Sequence, residues 1–164
     1  MNALFIGRFQ PFHLGHLHVI KKYYNVYDIL FIGIGSSQYH HTAENPFTYE
    51  ERKSMIELTL NAGQINNYRI IAIPDIHNPP QWVDHVRSII DDFSIVLSNN
   101  EFTTALFKQK GIDSKHTDLY QREKHEGTLI REKIKQQKKW DHLVPKKVYE
   151  FIKSIDGEKR IQNL

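Results

Sequence analysis

The chain has 164 residues, of which 40% are hydrophobic, a length and composition typical of one globular domain with its own core. It contains no cysteine, which excludes disulfides, thiolate metal sites and cysteine nucleophiles. The formal net charge is +3, and the basic excess from residue 101 on is typical either of a solvated surface or of a site for an anion. No apolar run is long enough for a membrane span and no signal-peptide pattern is visible, so we expect a cytoplasmic protein.

Strand-like and helix-like segments alternate along the chain. Apolar runs predict five strands, at residues 3–7, 28–34, 69–73, 94–98 and 112–117. Helical patterns predict helices at 14–24, at 48–61, at 81–90, from a cap at Asn99 or Asn100 to 110, at 128–138 and at 146–155. Thr48 and Glu51 match a capping box, and Gly157 is expected to end the last helix.

This alternation predicts an α/β fold in which parallel strands form one sheet with helices on both faces. No repeat, low-complexity segment or linker divides the sequence, so we expect a single domain over residues 1–164. In such sheets, ligands bind beyond the carboxyl ends of the strands. That rule predicts one crevice, surrounded by residues 7–16, 35–47, 74–82, 98–100 and 119–131.

The stretch GRFQPFHLGH, residues 7–16, directly follows the first predicted strand. Its two histidines, His13 and His16, are three residues apart and therefore share one face of the first helical turn. The helix N-terminus adds unpaired N–H groups and the positive end of a dipole, and both favour phosphate. We expect a phosphate site here, formed by Gly7, Arg8, Phe9, His13, Gly15 and His16.

A metal site is the competing interpretation of the histidine pair. Zinc needs a third protein ligand, whereas the sequence has no H-E-x-x-H motif and its other histidines are scattered. Neither a P-loop nor a G-x-G-x-x-G motif is present. The position after the first strand therefore favours phosphate binding.

The stretch at residues 7–16 resembles the H-x-G-H signature of the nucleotidyltransferase superfamily, and the whole chain resembles the archaeal-type nicotinamide-nucleotide adenylyltransferases. The blocks that carry this resemblance are GRFQPFHLGHLHVIK, IGIGSSQYHHTAENPFTYEER, IPDIHNPPQWVDHV, VLSNNEFTTALF, EGTLIREKI and DGEKRI, in this order. The resemblance implies a Rossmann-like α/β fold with a C-terminal helical extension. It also implies adenylyl transfer from ATP to nicotinamide mononucleotide, giving NAD and pyrophosphate, with Mg²⁺ or another divalent cation.

The resemblance assigns the phosphate chemistry to two blocks. In the first, His13 and His16 contact the ATP phosphates, and Arg8 bridges them or the incoming phosphate. The second block matches another family signature through Gly127, Thr128 and Arg131. Thr128 is the expected helix cap, and Arg131 lies on the same helical face. The expected catalytic residues are His13, His16, Arg8 and Arg131.

The nicotinamide nucleotide is expected to bind at the carboxyl ends of the second, third and fourth strands. Trp82 is either a core residue or, as the resemblance implies, the platform on which the nicotinamide ring stacks. The other expected contacts are Ser36, Ser37, Asp75, Asn78 and Asn99. The cation has no sequence signature, because Mg²⁺ often binds mainly to phosphates and water.

Two residues depart from the family pattern. Glu44 lies before the NPF motif, where arginine is frequent, and Glu126 lies before the GT motif, where serine is frequent. A carboxylate that pointed inward at either place would repel phosphate. Either these side chains turn outward, or a lysine such as Lys124 compensates, or the anion site is altered.

Two other functions stay open. A sibling enzyme would join ATP or CTP to pantetheine phosphate, glycerol phosphate or a flavin, and a sensor would bind NAD or ATP without turnover. The expected partners are ATP and nicotinamide mononucleotide, with no membrane and no nucleic acid, because aromatic residues do not interleave with the C-terminal basic residues. The resemblance implies a homo-oligomer, commonly a hexamer.

Overall fold

Five parallel strands form the sheet of the computed structural model, which describes residues 1–117 and 126–164. They are β1 (Ala3–Gly7), β2 (Leu30–Gly35), β3 (Tyr68–Ile73), β4 (Ile95–Ser98) and β5 (Asp113–His116). Their order is β3-β2-β1-β4-β5, and every neighbouring pair is parallel. The strand order reverses between β1 and β4, which is the switch point where open α/β sheets bind ligands.

Helices follow the strands in the predicted alternation. They are α1 (Leu14–Tyr23), α2 (Tyr49–Ala62), α3 (Pro79–Ile89), α4 (Glu101–Gln109), α5 (Gly127–Lys135), α6 (Lys146–Ser154) and α7 (Gly157–Gln162), with a short 3-10 helix at Asp141–Leu143. The predicted Rossmann-like α/β fold with a C-terminal helical extension is confirmed. Within the described ranges, no helix combines the length and the apolar character needed to cross a membrane.

Two predicted helix caps are present. Thr48 Oγ1 accepts the N–H of Glu51 at 3.1 Å, and the Glu51 carboxylate accepts the N–H of Thr48 at 2.9 Å, so the predicted capping box is complete. At α4 the cap is Asn100 and not Asn99, because the Asn100 side chain accepts the N–H of Thr103 at 3.0 Å.

The predicted Thr128 cap is wrong. Helix α5 begins at Gly127, so Thr128 already lies inside its first turn. The cap position belongs to Glu126, whose side chain makes no capping hydrogen bond. A negative charge at this position is nevertheless favourable, because the N-terminus of a helix carries a partial positive charge.

The prediction that Gly157 ends the last helix is also wrong. Helix α6 ends at Ser154, Asp156 takes the left-handed conformation with φ of 53°, and Gly157 begins α7. Glycine allows this main chain to pack closely against Ile152 and Phe47, because a Cβ here would lie 2.8 Å from Ile152 Cγ2 and 3.1 Å from Phe47 Cε1.

The described residues fall into two compact units. The first unit contains the whole sheet with α3 and α4, and consists of residues 1–8, 21–37 and 67–117. The second unit contains α2, α5, α6, α7 and the first part of α1, and consists of residues 9–20, 38–66 and 126–164. The expectation of a single domain over residues 1–164 stays a prediction.

In the first unit, α3 and α4 pack on one face of the sheet. The buried core there includes Leu4, Phe31, Ile73 and Val96 from the strands with Val83, Val86 and Phe107 from the helices. Strand β1 is at the centre of the sheet, and its residues Ala3, Leu4 and Phe5 are buried, as expected for a parallel strand covered on both faces. The loop after β1 therefore starts from a buried, central strand.

In the second unit, α7 fixes residues 46–51, which lead into α2 and form its first residues. Arg160 of α7 donates two hydrogen bonds to the Glu51 carboxylate, Nη1 to Oε2 at 2.6 Å and Nη2 to Oε1 at 2.9 Å. Its Nη1 also donates to the carbonyl of Pro46 at 3.0 Å. Burial raises the pKa of Glu51, but the hydrogen bonds from Arg160 and from the N–H of Thr48 outweigh it and lower that pKa.

Candidate functional site

The histidine turn, residues 13–16, begins α1 with two reciprocal hydrogen bonds. His13 precedes the helix, and its carbonyl accepts the N–H of Leu17 at 3.1 Å. Its Nδ1 accepts the N–H of Gly15 at 3.1 Å and the N–H of His16 at 3.4 Å. In return, His16 Nδ1 accepts the N–H of His13 at 3.2 Å. This is the geometry of a capping box with imidazoles in place of the usual hydroxyl and carboxylate.

The capping bonds fix the neutral tautomer of both rings. Because each Nδ1 accepts a hydrogen bond, the neutral tautomer carries its proton on Nε2, which is then a donor. Burial and the neighbouring His13 both lower the pKa of His16 well below 6.5. The partial positive charge of the helix N-terminus acts in the same direction. The turn therefore carries His16 in the uncharged form, with Nε2 as its hydrogen-bond donor.

Aromatic packing holds the imidazoles in place. The rings of His13 and His16 stack with centroids 3.5 Å apart. Phe12 stacks on His16 at 5.6 Å, and Phe9 meets His16 edge-on at 4.7 Å. Phe9, Phe12 and His13 are all buried, so this turn has little freedom to rearrange. The phosphate-site role predicted for Phe9 is untested, and the observed role is packing.

Non-glycine residues with left-handed backbone conformations follow three neighbouring strands. Phe9 after β1 has φ of 54°, Ser36 after β2 has φ of 46°, and His77 after β3 has φ of 52°. Such a conformation is unfavourable for residues with a Cβ and is concentrated at functional sites. Nothing in the sequence identified these three positions, because none of them is glycine, asparagine or aspartate.

The second phosphate block meets the first through Arg131. Its Nη1 donates to the main-chain carbonyl of Gln10 at 2.7 Å, and its Nη2 donates to Thr128 Oγ1 at 3.4 Å. A Cβ on Gly127 would lie 3.1 Å from Arg131 Nη1 and 3.2 Å from the Gln10 carbonyl. Because Gly127 has no side chain, it leaves room for this hydrogen bond between Arg131 and Gln10. The structure brings Gly127, Thr128 and Arg131 against the loop that carries the histidine turn.

Sequence reasoning missed Gln10. Its side chain is buried, and it donates from Nε2 to the carbonyl of Phe47 at 2.9 Å and accepts the N–H of Phe47 at 2.9 Å through Oε1. The partners lie 37 and 121 residues away along the chain, so no local pattern could have revealed them. The one available signal was a polar residue between the apolar residues Phe9 and Pro11.

The other predicted site residues belong to the first unit and follow its strands. Gly7 ends β1, and exposed Arg8 follows it. Ser36 and Ser37 follow β2, with the N–H of Ser37 donating to the carbonyl of Ile73 at 3.4 Å. The sheet order places β1, β2 and β3 side by side, so the residues after their carboxyl ends share one edge of the sheet.

The loop after β3 contains Asp75 and Asn78, and Asn99 follows β4. Asp75 accepts the N–H of His77 at 2.9 Å and so shapes its own loop. Asn78 precedes α3, is exposed and makes no capping hydrogen bond with its side chain. Asn99 is half-buried, next to Asn100 of the α4 cap. Their predicted contacts with a nucleotide stay predictions.

Trp82 has features of both interpretations that the sequence left open. Its indole meets Phe107 edge-on, with centroids 5.6 Å apart, at the border of the buried core. The side chain nevertheless stays half-buried and not fully enclosed. Trp82 is thus anchored along one edge by the core and partly accessible on the rest of its surface.

The two departures from the family pattern have different surroundings. Glu44 is exposed, whereas Glu126 is half-buried at the cap position of α5. Lys124, proposed as a compensating charge, and residues 119–125 of the predicted crevice lie outside the described residues. The crevice drew on segments of both units, and it stays a prediction.

Comparisons with known proteins point to one enzyme family. A sequence model described as cytidylyltransferase-like matches residues 4–154. The protein named nicotinamide-nucleotide adenylyltransferase in Thermoplasma volcanium is 42% identical, with 99% of this chain and 92% of that one covered. The protein of the same name in Archaeoglobus fulgidus is 43% identical, with 100% and 97% covered.

A solved structure agrees with the sequence comparisons. It is a bifunctional NMN adenylyltransferase/ADP ribose pyrophosphatase from Francisella tularensis, complexed with AMP and a manganese ion. It superposes with a TM-score of 0.84 at 26% identity over 99% of this chain. This chain spans about half of that longer chain, 51%.

The fold and the histidine turn together define the class of protein, a nucleotidyltransferase of the H-x-G-H type. The matches over the whole length narrow the class further. The chain belongs to the nicotinamide-nucleotide adenylyltransferases within the cytidylyltransferase-like family. The resemblance inferred from the sequence is confirmed.

Proposed function

We propose that the chain transfers the adenylyl group of ATP to nicotinamide mononucleotide, giving NAD and pyrophosphate. The observation that carries this proposal is the histidine turn, in which His13 and His16 cap a helix N-terminus in the segment that follows β1 in the chain. It is supported by identities of 42% and 43% with relatives named for this activity. In the proposed step, an oxygen of the mononucleotide phosphate attacks the α-phosphorus of ATP, and pyrophosphate leaves.

This chemistry needs alignment and charge stabilisation more than proton transfer. The attacking phosphate is already ionised at neutral pH, so no general base and no covalent intermediate are required. The lowered pKa of His16 suits this role, because a neutral imidazole donates a hydrogen bond without exchanging a proton. We propose that His13, His16 and Arg131 hold the ATP phosphates, that Arg8 contacts them or the incoming phosphate, and that Thr128 offers its hydroxyl group. The N–H of Gly15 is held by His13 Nδ1, so the proposed role of this glycine is to let the phosphates approach the main chain closely.

The mononucleotide is assigned to the first unit. We propose that the accessible face of Trp82 stacks on the nicotinamide ring, because its other contacts already fix the indole against Phe107. Polar contacts are assigned to Ser36, Ser37, Asp75, Asn78 and Asn99. The left-handed backbone at Ser36 supports a specialised role for the loop after β2.

A divalent cation is part of the proposed reaction. Over residues 1–117 and 126–164, no three His, Asp or Glu side chains are grouped so that they could hold a metal ion. The donor set of the described residues thus suits an ion that is carried by the ATP phosphates and water, and Mg²⁺ is the proposed ion. Such an ion neutralises part of the phosphate charge.

The test of the proposed function is product formation. Purified protein with ATP, nicotinamide mononucleotide and MgCl₂ should form NAD and pyrophosphate in equal amounts, measured by chromatography. Binding of ATP without product would favour a sensor. Product only with pantetheine phosphate, glycerol phosphate or a flavin as acceptor, or with CTP as donor, would favour a sibling transferase.

We also propose that the protein acts in the cytoplasm as a homo-oligomer, with a hexamer as the expected form and with no nucleic acid or membrane as partner. The support is the similarity to the archaeal family. Light scattering after gel filtration measures the mass in solution. A mass of about 19.4 kDa would identify a monomer and contradict the oligomer.

A further inference from the structure

Gln10 joins three segments of the second unit. Its side-chain amide pairs with the main chain of Phe47 in both directions, each bond at 2.9 Å, as a strand residue would. Two bonds of opposite direction also fix which end of the amide is oxygen and which is nitrogen. Its own main-chain carbonyl accepts Nη1 of Arg131 at 2.7 Å. The histidine turn begins three residues further along the chain.

The segment to which Gln10 is attached is itself rigid. Phe47 is fully buried, Pro46 accepts a hydrogen bond from Arg160, and Thr48 and Glu51 form the capping box of α2. The Gln10 amide is therefore anchored to a fixed part of this unit and not to a mobile loop. Loss of either amide bond would leave a buried main-chain group of Phe47 without its partner, which is costly.

The position of Arg131 depends on this anchor. One guanidinium nitrogen is held by the Gln10 carbonyl, and a Cβ at Gly127 would crowd both partners of that bond, at 3.1 Å and 3.2 Å. Arginine binds phosphate best when its planar fork is held in one orientation. A shift of the Gln10 main chain would move the acceptor that orients the fork.

We infer that Gln10 is a positioning residue for ATP: its side chain anchors the loop to Phe47 so that its carbonyl orients Arg131 beside the histidine turn. This inference rests on the proposed function, because it assigns the ATP phosphates to Arg131 and the histidines. Gln10 itself contacts no reacting atom in this account. Its loss should therefore weaken the use of ATP and spare the use of the mononucleotide.

Gln10→Met tests the inference, because methionine keeps the length of the side chain and removes both amide bonds. We expect the KM for ATP to rise about tenfold, the scale of one hydrogen bond lost between a displaced Arg131 and phosphate, with less than a threefold change in the KM for the mononucleotide. Gln109→Met, on the exposed face of α4, is the matched control and should leave both constants unchanged.

Gln10→Glu adds a pH signature that loss of packing would not produce. The introduced carboxylate would face the carbonyl of Phe47, and only its protonated form restores a donor there. The ATP defect of this variant should therefore shrink as the pH falls from 8 to 6, measured as kcat/KM relative to the wild type at 20 °C. If Gln10→Met does not fold, this variant decides the question.

A readout without turnover separates the inference from the proposed function. ATP with MgCl₂ should raise the melting temperature of the wild type, and this shift should be smaller in both Gln10 variants. A wild type that shows the shift but forms no NAD would contradict the proposed function and leave the shift as the test of Gln10. An unchanged ATP shift, or equal losses toward ATP and the mononucleotide in a folded Gln10 variant, would overturn the inference.

Discussion

His13 and His16 cap one another at the start of α1: His13 Nδ1 accepts the N–H of His16 at 3.4 Å, and His16 Nδ1 accepts the N–H of His13 at 3.2 Å. The same rings thus cap the start of the helix through Nδ1 and present Nε2 as a donor. In the proposed mechanism, Nδ1 of each ring stabilises the helix and Nε2 binds phosphate, so substitutions can separate the two roles.

For His16→Ala we expect kcat to fall by about 10²–10³, the usual cost of one preorganised donor to developing charge. His16→Glu should lose at least as much activity, because a carboxylate offers no donor to phosphate. Glutamate is nevertheless favoured at this position of a capping box, so His16→Glu should melt closer to the wild type than His16→Ala does. Turnover of folded His16→Ala within about threefold of the wild type would remove His16 from the mechanism.

The pH dependence of stability follows from the lowered pKa of His16. Between that pKa and the value of 6.5 in the unfolded chain, the unfolded chain binds more protons. The contribution of His16 to stability is therefore complete above pH 6.5 and is lost as the pH falls below it. We expect the melting temperature of the wild type to drop more between pH 7.5 and 5.5 than that of His16→Gln, which cannot titrate. Parallel curves for the two proteins would contradict the lowered pKa.

Arg131→Ala should reduce kcat/KM for ATP by about 10²-fold, since a charged hydrogen-bond donor to phosphate is lost. Arg131→Lys should recover only part of this, because a point charge cannot both bond to the Gln10 carbonyl and present a planar fork. Arg69→Ala, at an exposed position of β3, is the matched control. Wild-type kinetics of Arg131→Lys would show that a single charge suffices.

Trp82→Ala should raise the KM for nicotinamide mononucleotide about three- to thirtyfold, with little change in the KM for ATP. For Trp82→Phe, the KM for the mononucleotide should lie between the values of the wild type and Trp82→Ala, because phenylalanine keeps a smaller aromatic face. The edge contact with Phe107 means that Trp82→Ala should also lower the melting temperature. Trp140→Phe, which removes the indole bond to Glu158, is the control for stability alone. Equal losses toward both substrates would identify Trp82 as a core residue only.

Local signals in the sequence predicted most of the fold. The apolar runs that became β1 to β4, the Thr48–Glu51 box and the Asn100 cap depend on residues within a few positions of one another. Gly157 was misread for the same reason. A glycine after a helix is a common stop signal, but here it allows contact with Phe47, 110 positions earlier in the chain.

The same difference between local signals and distant contacts applies to the candidate site. The histidine pair and the GTLIR block are local and were recognised, whereas the Gln10 amide has its partner 37 residues away and could not be. Gly127 was expected to contact phosphate, yet the structure gives it a steric role that becomes visible only when Gln10 and Arg131 are seen together. A hydrogen bond that spans 121 residues leaves no periodic trace in a sequence.

The ion pair between Arg160 and Glu51 also has a consequence for how the protein is made. It joins residues 109 positions apart, and α7 follows every other described helix and strand in chain order. During synthesis from the N-terminus, residues 46–51 therefore gain this support only after α7 has been made. Closing so long a loop is slow relative to local folding. A nascent chain that already contains the complete sheet would still lack the support that Arg160 gives to the segment bonded to Gln10, and under the proposed function its affinity for ATP should reach the full value only once α7 has folded.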